Sequence, residues 1–136
     1  MGEPEKQPSE TQPPETLYEA VGGMPFFERL VDEFYRGVAD DEVLLPLYPE
    51  QPDLSGARHR LTLFLAQYWG GPTTYDDERG HPRLRMRHFP FHIGALEQER
   101  WLLHMSAAVD AVSPTPEISA RLLGYFVPAT DHLRNA

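Results

Sequence analysis

Apolar residues recur along this chain at three- and four-residue steps, the period that turns one face of a helix toward a core. No stretch alternates as a half-buried strand would. A short helix is predicted over 17–21, stopped at Gly22-Gly23, which can supply the positive φ of a helix end. A longer one follows over 25–39, where Phe27, Leu30, Val31, Phe34, Tyr35 and Val38 share a stripe. Asp40-Asp41 can cap a short helix through Leu47, ended by Pro49. In DLSGARHRLTLFLAQYWGG, Leu54, Ala57, Leu61, Phe64, Leu65 and Tyr68 fall on one face, and Gly70-Gly71-Pro72 end the run. Two long helices close the chain, over about 91–112 and 115–133, with Ser113-Pro114 between them.

Two segments break the pattern. Residues 1–15 hold Pro4, Pro8, Pro13 and Pro14 among Glu, Gln, Ser and Thr, and read as a mobile tail before a single domain over 16–136. Residues 72–90 are punctuated by Pro72, Gly80, Pro82 and Pro90, and read as largely irregular with a short helical turn near 83–87. A long loop inside a compact domain is more often functional than accidental.

Composition narrows the classes. The 136 residues are 40% hydrophobic and 11% aromatic, enough for a sizeable core. The formal net charge of −9 argues against a nucleic acid partner. Cys is absent, which removes disulfides, thiolate metal sites and covalent C-x-x-C-H haem attachment. No apolar run reaches the ~18 residues of a membrane span, and the N-terminus lacks a signal peptide's apolar core. A cytoplasmic protein is the expectation.

The candidate chemistry centres on RMRHFPFHI, residues 85–93. His88 and His92 are four apart, but Pro90 between them reads as the first turn of the next helix, so His88 precedes the helix that carries His92. One shared metal-ligand face is therefore not expected. His-Glu-x-x-His is absent, and a di-iron bundle would need two Glu-x-x-His motifs where only Glu78…His81 exists, interrupted by Gly80. There is no G-x-S-x-G elbow and no Gly-rich phosphate loop. What remains is an aromatic pocket with one candidate ligand. Tyr35, Tyr48 and Trp101 each suit an ordinary core position, and matter chemically only if they converge. Eleven of the twelve basic residues are Arg, and Arg79, Arg83, Arg85 and Arg87 cluster in ERGHPRLRMRH. They suit a solvated loop, or capture of carboxylates such as the two propionates of a haem, whose axial site takes an imidazole.

LYEAVGG, FYRGVADDEVLLPLYPE, LAQYWGGP, RGHPRLRMRHFPF and the region of Trp101 together resemble the truncated haemoglobins, specifically group II, the O-type. The resemblance covers about 17–133. It implies an all-α truncated globin fold, two helices over two, around a noncovalent haem b. His88 then matches the proximal iron ligand, and Tyr35, Tyr48 and Trp101 the distal polar residues. Ala57 matches the position of an ordinary globin's distal histidine, and Leu61 lies one turn along that wall. Phe64, Leu84, Phe91, Ile93 and Met105 are candidate haem-packing residues, and Arg60, Tyr75 and Arg87 candidate propionate partners.

Under that resemblance a single imidazole leaves one iron position open to O₂, nitric oxide or another small ligand. Trp101 and Tyr48 would donate hydrogen bonds to it. Slow release then favours redox chemistry, namely nitric oxide dioxygenation or peroxide turnover with an unidentified reductase, over diffusive oxygen transport. Oxygen storage or sensing is the alternative, a haem-free helical interaction module a more distant one, and a homodimer is the expected assembly.

Overall fold

Thr16 opens a computed structural model that describes residues 16–136; the tail read over 1–15 lies outside the described residues. Its hydroxyl accepts from the Glu19 amide at 3.1 Å while the Glu19 carboxylate accepts from the Thr16 amide at 3.2 Å, a reciprocal capping box. Helix α1 (Leu17–Ala20) ends at Gly22 and Gly23, both at positive φ (93° and 86°), where a Cβ would be strained. Helix α2 (Met24–Ala39) then starts with Pro25 in its first turn and buries Phe26, Phe27, Leu30, Val31, Phe34 and Val38 completely or nearly so.

A 3₁₀ turn (Leu45–Leu47) and α3 (Ser55–Tyr68) follow. The end of α3 is tied back to α1 by the Tyr18 amide, which donates to the Trp69 carbonyl at 3.0 Å. Then come α4 (Thr74–Arg79), α5 (Leu84–His88), α6 (Ala95–Val112) and α7 (Pro116–Leu133). Helix α2 packs on both α3 and α6, α6 packs on α7, and the short α5 rests against α7. The α2–α3 pair thus faces the α6–α7 pair, two helices over two. No strand forms among the described residues, and none of their helices is long and apolar enough to cross a membrane.

Two expectations need correction. Residues 72–90 are not largely irregular, because α4 occupies Thr74–Arg79 and α5 Leu84–His88. The stretch TYDDER shows no apolar stripe, since only Tyr75 is buried in it. The next helix starts at Ala95 rather than near Phe91, so Pro90 belongs to a turn and His92 to a linker. The physical reason lies at the far end of the chain. Asn135 accepts from the Ile93 amide at 2.9 Å and donates to the Phe91 carbonyl at 2.7 Å, which satisfies the extended linker's polar groups without a helix. Glu97 then caps Gly94 by accepting from its amide at 2.9 Å.

Asp41 is the one buried carboxylate among the described residues, 2% exposed, and all of its acceptor capacity is engaged. One oxygen takes the amides of Val43 and Leu44 (2.8 and 3.1 Å), which holds the chain in the turn leading to Tyr48. The other takes Arg100 Nε at 2.9 Å and His104 Nε2 at 2.6 Å, both from α6. Gly37 makes room, since a Cβ there would collide with the His104 ring. Burial pushes the Asp41 carboxyl up, but hydrogen bonds from His104, Arg100 and the two amides outweigh it and hold it well below the usual carboxylate range.

Asp41→Asn is expected to lower unfolding stability by about 2–4 kcal/mol at neutral pH, through a broken buried ion pair. Because the folded-state carboxyl titrates below its unfolded value, its contribution is present at neutral pH and lost in acid. In urea unfolding, the gap between parent and variant should therefore shrink as pH falls below about 4.

Candidate functional site

The helices enclose a cavity of about 450 Å³ between α3, α6 and α7, floored by α5 and the linker after it. A space of this size suits a bound organic group. Helix α3 contributes Ala57, Arg60, Leu61 and Phe64, stacked at helical steps of three and four. Helix α2 brings Tyr35, the turn after the 3₁₀ segment brings Tyr48, and α6 brings Trp101. Tyr75, packed on Phe64 at 5.5 Å, and Leu84, Arg87, His88, Phe91 and Ile93 complete the lining. Residues 40 to 60 positions apart in sequence therefore meet at one space. Met105 does not join them: one turn beyond Trp101, it is fully buried in the protein core and absent from the cavity wall.

His88 is the last residue of α5, and its Nδ1 lies 2.7 Å from the carbonyl oxygen of Leu84 one turn earlier. A carbonyl can only accept, so Nδ1 carries the proton and Nε2 keeps its lone pair. This is how a metal-ligating imidazole is oriented when its other nitrogen is anchored to the backbone.

Tyr35 and Tyr48 meet edge to face, ring centroids 5.6 Å apart, and their hydroxyls hydrogen-bond. Burial first, and then its bond to Tyr48, pushes the Tyr35 phenol well above its ordinary value. Burial pushes Tyr48 up as well, against the hydrogen bond it receives from Tyr35. Both phenols therefore stay protonated at neutral pH. With Tyr35 donating to the Tyr48 oxygen, the Tyr48 proton is left for another acceptor. Trp101 is wedged between Phe34 and Phe126, at 4.8 and 5.5 Å, which sets the plane of its indole.

Arg87 does double duty. Its Nε donates to the Pro82 carbonyl (2.6 Å) and its Nη2 to those of Arg79 (2.8 Å) and His81 (3.3 Å), pinning the loop between α4 and α5. Its Nη1 protons remain for an anion. Arg60 and Arg79 also line the cavity, while Arg85 turns away to the His132 carbonyl at 2.5 Å. Among the described residues no three His, Asp or Glu side chains converge to hold a metal ion by themselves.

Sequence reasoning missed one whole wall. Tyr125, Phe126, Ala129, Thr130 and Leu133 on α7 face the cavity, and Glu97 and Gln98 border it from α6. Their only signal is a helical stripe interrupted by the small Ala129, which reads equally well as core.

Residues 16–135 match the family model described as bacterial-like globin. A group 2 truncated haemoglobin of Bacillus subtilis is 40% identical over 118 residues, 87% of either chain. The chain belongs to the bacterial-like globins. A thermostable haemoglobin from the actinobacterium Thermobifida fusca superposes on this globin with a TM-score of 0.87 at 56% identity, covering 90% of this chain and 98% of that one. The group II truncated haemoglobin of Bacillus anthracis gives 0.84 at 37% identity, over 90% and 98%.

Membership brings a haem cofactor that binds oxygen and other small ligands, and the residues present fit it. A mostly apolar cavity suits the porphyrin, and three guanidiniums at its wall suit the two propionates. The imidazole of His88, the one histidine among the lining residues, suits the iron. Without any Cys, no thioether attachment of that group is possible.

Because Ala129 is the smallest side chain on the α7 wall, Ala129→Phe should crowd the porphyrin's space. Overpacking of this kind costs about 1–3 kcal/mol, so haem transfer to an acceptor apoprotein should speed up roughly tenfold or more.

Proposed function

We propose that this globin carries out redox chemistry on small oxidants at a haem ligated by His88, by nitric oxide dioxygenation or peroxide turnover rather than diffusive oxygen transport. The observation that carries this reading is the convergence of Tyr35, Tyr48 and Trp101 on the cavity that also holds the His88 imidazole. When bound, haem supplies a redox-active iron with one open position for a diatomic ligand or peroxide.

The chain's own residues supply the rest. The Leu84 carbonyl holds Nδ1 and so orients the His88 ring with Nε2 directed away from that bond. On the other side no histidine stands at Ala57, so Tyr48 and Trp101 donate to the ligand as negative charge develops on it. Tyr35 holds the Tyr48 oxygen and so aims its proton. Each such bond contributes about 1–3 kcal/mol toward a charged acceptor, and two of them slow ligand release by orders of magnitude. Leu61, Phe64, Leu84, Phe91 and Ile93 exclude water from the porphyrin faces. Arg60, Tyr75 and Arg87 would hold the propionates, Arg87 through its Nη1. Turnover needs an external reductase, and a cytoplasmic setting would provide one.

His88→Ala is expected to abolish the parent Soret band at matched haem loading; an unchanged spectrum would remove His88 as ligand. Trp101→Phe and Tyr48→Phe should each raise the O₂ dissociation rate about tenfold, and more together, in stopped-flow displacement by carbon monoxide. Fast release in the parent, with negligible nitric oxide or peroxide turnover, would point instead to oxygen storage or sensing.

A further inference from the structure

Three oxidisable rings touch one another at the edge of the cavity, and only one of them reaches solvent broadly. Tyr125 lines the cavity from α7. Its ring centroid lies 4.2 Å from that of Tyr68 and 5.2 Å from that of Trp69. Tyr68 and Trp69 are themselves 5.1 Å apart. Trp69 is buried at 9% exposure, whereas Tyr68 is 52% exposed at the end of α3. Tyr68 is not part of the cavity wall, and the resemblance and geometry above give it no role.

We propose that Tyr68 is a surface oxidation site, reached from the haem through Tyr125, at which phenolic reductants kept out of the haem-filled cavity give up electrons. This rests on the peroxide-turnover reading above. One peroxide takes up two electrons and two protons and leaves as two waters. Each electron is drawn through Tyr125 from Tyr68, whose phenolic O–H breaks and releases its proton to bulk water. A phenol stacked on the exposed ring then donates one electron and one proton, restoring the Tyr68 O–H and leaving as a phenoxyl radical. Two phenols per peroxide close the balance.

The division of labour follows from the surroundings. Burial and the neighbouring Tyr68 push the Tyr125 phenol up to about 12, so its proton does not leave readily as such, and Tyr125 serves as a relay rather than a resting place. Tyr35 and Tyr48 also border the cavity, but Tyr35 is buried and Tyr48 is only partly exposed, and each is bonded to the other rather than open to bulk reductants. Tyr68 alone joins contact with a cavity residue to an open ring face. The net charge of −9 favours neutral or cationic phenols and aromatic amines over anionic reductants.

The test uses the haem-loaded full chain and its Tyr68→Phe variant, which keeps the ring packed on Tyr125. Each is mixed with hydrogen peroxide and a nitrone spin trap, then digested and mapped by mass spectrometry. In parallel, the Soret change with peroxide and the oxidation of guaiacol are followed. The parent should carry the adduct on Tyr68. The variant should lack it and oxidise guaiacol about tenfold more slowly, while its Soret change keeps the parent rate. An adduct confined to other residues, or an unchanged guaiacol rate in the variant, overturns the assignment of Tyr68 and leaves peroxide turnover standing. A parent Soret band that does not respond to peroxide overturns both.

Discussion

The Asp41 carboxylate is the fixed point from which the upper half of the site is hung. One oxygen holds the turn after α2 and the other holds α6 through Arg100 and His104. Tyr48 lies at the end of the segment that the first oxygen organises, and Trp101 sits next to Arg100 on the helix that the second secures. Two residues 53 positions apart in number thus owe their relative placement to one buried group. A buried charge adds little net stability against an apolar substitute, but it is demanding about geometry. Here the demand falls on the spacing of two hydrogen-bond donors.

The lower half is organised differently. His88 takes its orientation from Leu84 in the same short helix, and the loop before that helix is held by Arg87 reaching back to three carbonyls. These are local ties. The upper wall is set by contacts between helices far apart in sequence, whereas the His88 ring and the loop before it take their orientation from within residues 79–88.

That difference decided what could be read from the residues alone. The helices with a continuous apolar stripe, α2 above all, were legible because burial imposes their period. Helix α4 was not, because TYDDER buries a single side chain and its helix is set by the turn around it. The start of α6 was misplaced because Pro90 carries every local mark of a first helical turn, whereas the partner that keeps 91–93 extended is Asn135, some forty residues on. His88 was singled out by its neighbourhood. Met105 was assigned to haem packing by the resemblance, and one turn of helix beyond Trp101 was enough to carry it into the core instead. The α7 wall was missed for a related reason: a stripe facing a cofactor and a stripe facing other side chains have the same period.

Helix α5 has only five residues, and none of them is fully buried. So short a helix does not sustain itself in water. What keeps it in place is its rest against α7, Arg85 on the His132 carbonyl, and the Asn135 clamp on the linker beyond. Residues 132–135 therefore act at a distance on the placement of His88. The free energy needed to order α5 is subtracted from the affinity for haem, and a C-terminus that clamps well has already met part of it before the cofactor arrives. The placement of His88 in this globin is thus a property of residues 132–135 as much as of the short helix that carries it.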